Sequence, residues 1–119
     1  MLPEQRDAAY LWDMLEAAKQ ALEITGNMTY ARYSEERVVQ LAVERTIEII
    51  GEAARKVSEP LKTAHPEIPW RQIIAQRHVI AHEYGDIKQD RLWLVVTARL
   101  PELVAQLRPL IPPQPQSAE

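Results

Sequence analysis

The 119-residue chain has no cysteine, no phenylalanine and only three glycines. Without a thiol there can be no disulfide framework, thiolate zinc site, iron–sulfur cluster or cysteine nucleophile, so redox and cysteine-protease chemistry are excluded. Any metal would have to rest on histidines and carboxylates. Gly26, Gly51 and Gly85 are too few for a phosphate-cradling loop of the Walker or Rossmann type. No stretch approaches the ~20 apolar residues that span a membrane. Residues 1–10 carry Glu4, Arg6 and Asp7 where a signal peptide needs a cationic start and an apolar run, so the sequence predicts a cytoplasmic protein with no membrane partner. A chain this short holds one hydrophobic core, which excludes a two-domain enzyme.

What is present is 46% hydrophobic and 26% charged, with a net charge of -3 that is unevenly spread. Residues 1–59 hold seven Lys and Arg against eleven Asp and Glu, whereas residues 71–108 hold six against four. Overall acidity argues against a protein that coats nucleic acid, and the more basic second half is the place to look for anion contacts.

Scarce glycine and the rarity of two-residue alternation predict an all-α fold, an up-and-down bundle of four to five helices. The first helix is expected from about Pro3 to Ile24, with Leu11, Met14, Leu15, Ala18 and Leu22 on one face and Gly26-Asn27 as the stop. A loop holding Tyr30 and Tyr33 follows. Ser34 is a natural N-cap for a second helix reaching Ser58, whose apolar set, from Val38 and Leu41 to Ala53 and Val57, is wide enough to be contacted on two sides. Gly51 in its middle fits either a close backbone approach or a tolerated glycine. Residues 59–69 read as a proline-punctuated connector, and Pro69 opens a third helix at Trp70 that Gly85 breaks. Asp86 can cap a fourth helix carrying Leu92, Val96, Leu100, Leu103 and Leu107, which Pro101 should kink or split. Residues 1–108 form the helical domain. The last eleven, with four prolines, read as a polyproline-like or disordered tail.

One stretch is unusual for a structural helix: Arg77-His78-Val79-Ile80-Ala81-His82-Glu83-Tyr84. On a helix His78 and His82 lie one turn apart on the same face, and Arg77 lies about 140° from His82. Three readings are open on the residues alone. The set can be a plain polar helix face. His78 and His82 have a spacing that suits two zinc ligands, but no metalloprotease motif surrounds them and no third ligand is placed. Histidine also takes and gives protons near neutrality, and arginine offers a fixed positive fork for phosphate oxygens, so the set suits acid–base chemistry on a phosphodiester.

Arg77 to Tyr84 resembles the R-x-x-x-x-H-x-Y signature of the HepT-like toxins of the HEPN superfamily. The likeness extends to RDAAYLWDMLEAAKQALEIT, VERTIEIIGEAARKVS, PEIPWRQIIAQR and RLPELVAQL, about residues 5–108. The resemblance implies a small helical ribonuclease acting without metal or other cofactor, with Arg77 and His82 as its catalytic pair and RNA as its substrate. His78 stands where the family commonly has Asn, and Glu83 where it often has Gly. The resemblance further implies a homodimer with the active cleft at its interface, a minimal nucleotidyltransferase antitoxin as partner, and Tyr84 as the residue that this partner modifies with AMP. Arg45, Glu48 and Glu52, sharing one face of the second helix, are expected to line the cleft, although ion pairing along the helix explains them equally well. The alternative from another class is a non-catalytic helical subunit of the nucleotidyltransferase.

Overall fold

The computed structural model describes residues 3–82 and 88–112, with residues 3, 4 and 77–82 described by their backbone alone. Among the described residues every regular element is helical. In chain order these are α1 (Pro3–Thr25), α2 (Tyr30–Tyr33), α3 (Arg37–Lys56), α4 (Glu59–Ala64), α5 (Trp70–His82), α6 (Gln89–Leu94), a π-helical turn (Val95–Arg99), α7 (Leu100–Leu107) and a 3-10 turn (Arg108–Leu110). The bundle is the all-α one expected, built on four long helical stretches with α2 and α4 as short additions.

Helix α1 buries Leu11, Met14, Leu15 and Ala18 as its three-and-four spacing predicts, and adds Ala17 and Ala21. It ends where Gly26 turns to φ +50° and its N–H returns to the Leu22 carbonyl at 2.9 Å, a left-handed stop that favours glycine. Helices α1 and α3 pack against each other, and each buries small residues, Ala17, Ala18 and Ala21 in α1 and Ala53 and Ala54 in α3. Small side chains let two helices approach closely. Asp7 closes one end of this seam, accepting the Ser58 N–H at 2.9 Å and the Ser58 hydroxyl at 2.6 Å.

Several local expectations are corrected. The Tyr30–Tyr33 stretch is the one-turn helix α2, because Thr29 caps it by accepting the Arg32 N–H at 3.2 Å. Ser34 does not cap α3. Its hydroxyl donates to the Ala31 carbonyl at the end of α2, and α3 begins three residues later behind Glu36 without a side-chain cap. Helix α3 stops at Lys56, because Ser58 caps α4 through the Leu61 N–H and Pro60 sits in the first turn, where its missing N–H costs nothing. The proline connector is therefore partly helical. Val38 and Leu41 were expected within the apolar set of α3 but are 78% and 49% exposed, because the buried stripe runs through Gln40, Val43, Glu44 and Ile47 instead.

The fourth stretch is split, as Pro101 requires. With no N–H at Pro101 the regular ladder cannot pass, and the preceding turn widens so that the Leu100 N–H reaches the Val95 carbonyl five residues back. Both pieces still bury one stripe: Leu92, Val96, Leu100, Leu103 and Leu107. Leu110 and Ile111 also pack on the core. The expected cap at Asp86, the break at Gly85 and most of the proline tail lie outside the described residues.

Candidate functional site

Helix α5 carries the sequence motif, and its start is firmly held. Ile68 is buried, the Trp70 ring is buried behind it, and the indole N–H donates to the His65 carbonyl at 3.0 Å. The Ile73 N–H bonds to the Pro69 carbonyl at 3.0 Å, so proline sets the first turn without losing a needed donor. The helix continues unbroken through Arg77 and His78 to His82. The backbone thus sets positions 78 and 82 one turn apart, a rise of about 6 Å. Glu83 and Tyr84 lie outside the described residues.

At the start of α6, Gln89 is gripped by a polar clamp. Its amide donates to Glu44 of α3 at 2.7 Å and its carbonyl oxygen accepts the Tyr33 hydroxyl of α2 at 2.6 Å. Gln40 donates to the Tyr33 carbonyl at 3.0 Å, and Arg37 reaches both Gln40 (3.1 Å) and Glu44 (3.3 Å). Tyr33 is fully buried against the Trp93 ring, with centroids 4.9 Å apart. Burial, reinforced by the Glu44 carboxylate, pushes its hydroxyl up to about 12. A buried carboxylate and amide are tolerable only when bonded in this way, and the clamp fixes the start of α6 seven residues after His82. The sequence reading missed these residues. The available signal was Gln40 and Glu44, two polar side chains at helical spacing on the same stripe as Val43 and Ile47.

Arg45, Glu48 and Glu52 are placed together, but in a notch against α1. They share it with Tyr10 and Asp13. Arg45 pairs with Glu48 at 3.0 Å, and Glu52 with Arg55 at 2.9 Å and Lys56 at 3.5 Å. Ile47 and Ile50, on the other side of α3, line the groove beside α5. Two of the tryptophans, Trp12 and Trp93, pack half-buried on the core. His65 ends α4 with its ring 3.3 Å from Glu67. Among the described residues no three His, Asp or Glu side chains gather into a metal-holding group, and no helix is long and apolar enough to cross a membrane.

Compared with known proteins, residues 14–110 match the family described as Ribonuclease HepT-like. The chain belongs to the HepT-like ribonuclease family. Among similar HepT-like proteins, "Probable ribonuclease HepT" of Thermococcus cleftensis is 34% identical over 101 residues, covering 85% of this chain and 92% of that protein. Two proteins of Methanocaldococcus jannaschii that carry RNase in their names are 32% identical over 95 residues (80% and 87% coverage) and 28% identical over 110 residues (92% and 91%). No solved structure matches the chain. The matched HepT-like span takes in all of α5, the Gln89 clamp and the α6–α7 stretch.

Proposed function

We propose that this HepT-like chain is the toxin of a toxin–antitoxin pair, a metal-independent endoribonuclease whose chemistry is carried by Arg77 and His82. The observation that carries the reading is the family match running through an α5 that is helical from Trp70 to His82, with an arginine and a histidine five residues apart near its end. His82 serves as general base or acid on the ribose 2′-hydroxyl. The 2′-oxygen attacks its own 3′-phosphate, the P–O5′ bond breaks, and the leaving oxygen takes a proton. The products are a 2′,3′-cyclic phosphate and a 5′-hydroxyl. Arg77 stabilises the negative charge that builds on the phosphate oxygens. DNA lacks the attacking hydroxyl and is not cut. His78, one turn before His82, supplies a second titratable ring at the position where the family commonly has Asn.

The unit that acts is a homodimer in the cytoplasm, with two copies of α5 bordering one cleft. Tyr84, two residues after His82, is the point of control. A minimal nucleotidyltransferase partner transfers AMP from ATP to its hydroxyl, releasing pyrophosphate, and the added phosphate repels and blocks the RNA backbone.

The test is cleavage of a single-stranded RNA by the purified protein, with analysis of the product ends. Cyclic phosphate ends that persist in EDTA and vanish in Arg77→Ala and His82→Ala support the mechanism. Unchanged cleavage by either variant refutes it, and a well-folded parent that leaves RNA intact favours a non-catalytic subunit. Incubation with ATP and the nucleotidyltransferase should raise the mass of the parent, but not of Tyr84→Phe, by one or more AMP units.

A further inference from the structure

Along α5 the positions of Arg71, Ala75, His78 and His82 follow one another at intervals of four, three and four residues, the spacing that keeps a single stripe of a helix. At about 100° per residue they all stay within about 40° of Arg71, whereas Gln72, Ile73 and Gln76, which border the groove toward α7, lie about 100° or more away. Arg71 instead lines an open-sided trough of about 710 Å³ between α4 and α5. The stripe that carries positions 78 and 82 therefore leads into this trough. Its floor is the buried Ile68 and Trp70, with Pro66 and Ile74 beside them. Three charged residues line it: Glu59, Lys62 and Arg71. Lys62 is committed, because its ammonium, with the side chain only 13% exposed, lies 3.5 Å from the Glu59 carboxylate and donates to the Arg55 carbonyl at 3.4 Å. The two neutralise each other. Arg71 is exposed and forms no ion pair with a described residue, so it is the free cation of the described lining. Ala75, the next position on the stripe, is exposed and small, so no bulky side chain stands between Arg71 and position 78 along it.

We propose that the RNA strand cut at His82 continues along this stripe into the trough, where the Arg71 guanidinium holds a backbone phosphate. The inference rests on the ribonuclease reading above and adds the path of the strand. Arginine suits the role because its planar fork matches two phosphate oxygens at once. At 1.5 Å per residue, position 71 lies about 16 Å before position 82. A stacked strand advances about 3.4 Å per nucleotide and an extended one more, so the Arg71 contact falls at most about five nucleotides from the cut. Trp70 is too buried to stack on a base, and the trough therefore grips the strand by its backbone without selecting sequence.

The test is binding of the full chain to a fluorescent single-stranded 2′-O-methyl RNA of about twelve nucleotides, long enough to span both contacts, by anisotropy over a salt series. The blocked 2′-oxygens keep the strand intact, so binding is read apart from cleavage. Arg71→Glu should weaken binding about tenfold or more and lower the slope of log affinity against log salt by about 0.7, one phosphate contact on a single strand. Arg71→Lys, which keeps the charge, should stay near the parent. Thr63→Glu places a negative charge on an exposed position of the trough's α4 side and should also weaken binding. Lys19→Glu makes the same change of charge as Arg71→Glu on α1, away from the trough, and should leave binding unchanged. All these positions are at the surface, so melting temperatures matching the parent's should exclude a folding loss. Binding by Arg71→Glu or Thr63→Glu equal to that of the parent overturns the path, while cleavage that vanishes in His82→Ala leaves the ribonuclease reading standing. An equal loss in Lys19→Glu also overturns it, by showing that net charge alone governs binding. A parent that neither binds nor cuts RNA overturns both.

Discussion

The two flanks of α3 are built from the same kind of amphipathic helix but end in different surroundings. Toward α1 both helices bury alanines, Asp7 ties one end to Ser58, and the space left is a notch of about 200 Å³ beside Tyr10 and Asp13. Toward α5 and α7 the apolar residues are bulkier, the three elements meet around a recess, and hydrogen bonds bridge only part of its rim, from Arg99 to Gln72 at 3.5 Å and from Gln106 to the Glu67 carbonyl at 3.0 Å. The lesson is one of division of labour. The tighter flank is the one where both helices bury alanines, and α5, which carries the proposed catalytic residues, borders the more open one.

This contrast can be broken by experiment. The largest expected effect is on the open side: His82→Ala should lower RNA cleavage by a factor on the order of 10² to 10⁴, read from single-turnover rates on a defined RNA. If the division holds, its melting temperature should stay near that of the parent. The tighter side should respond in the opposite way. Met14→Ala opens a cavity at a fully buried position and should cost about 3 kcal/mol, roughly a 10 °C fall in melting temperature by calorimetry, with cleavage kept below the transition. Asp7→Ala leaves the Ser58 N–H and hydroxyl without their acceptor and should cost about 2 kcal/mol in urea unfolding. A loss no larger than that of an exposed carboxylate would show that the seam does not depend on this tie.

Smaller effects test the borders between the two regions. The Tyr33 hydroxyl ordinarily ionises near 10 and is held up to about 12 in the fold. Between these values the unfolded chain has released a proton that the folded chain still holds, so stability is fully present below about pH 10 and falls as pH rises toward 12. Tyr33→Phe should remove that component, worth on the order of 1–2 kcal/mol at pH 11, while losing the Gln89 bond at neutral pH. Parallel alkaline unfolding curves for parent and variant would show that burial does not perturb the phenol. Smallest of all, Val38→Ser should change stability by no more than about 0.5 kcal/mol, because that position lies outside both contact faces.

Much of the helical content was readable because period and punctuation agree. Gly26, Pro69 and Pro101 each act through the backbone alone, so their effects survive any tertiary arrangement. The misplaced boundaries have a common cause. Thr29, Ser34 and Ser58 are all competent caps, and the sequence does not say which end of which helix each one serves; that depends on where the partners arrive, as Asp7 does at Ser58. The exposure of Val38 and Leu41 was hidden for a related reason. A broad apolar face does not reveal which part of it a neighbour covers. The motif itself was legible as residue types on one helix, and α5 bears out the helix. Arg45, Glu48 and Glu52 were legible as one face of α3, but only packing could place that face against α1. The clamp around Gln89 joins residues 33, 40, 44 and 89, too far apart in sequence for any local pattern to link them.

By itself, then, the sequence determined an all-α chain without thiols, the faces of its helices, the split at Pro101 and one segment with the residue types for acid–base work on phosphate. These follow from covalent chemistry and from the 3.6-residue period, both local properties. The tertiary structure decided which flank of α3 is tighter and which more open, which polar residues are buried and bonded, and which apolar ones remain on the surface. Those outcomes depend on side-chain volumes meeting across helices distant in sequence. The order of residues alone does not show that Leu94 stays exposed beside a groove while Gln40 and Glu44 are buried, because both depend on neighbours brought in from elsewhere in the chain.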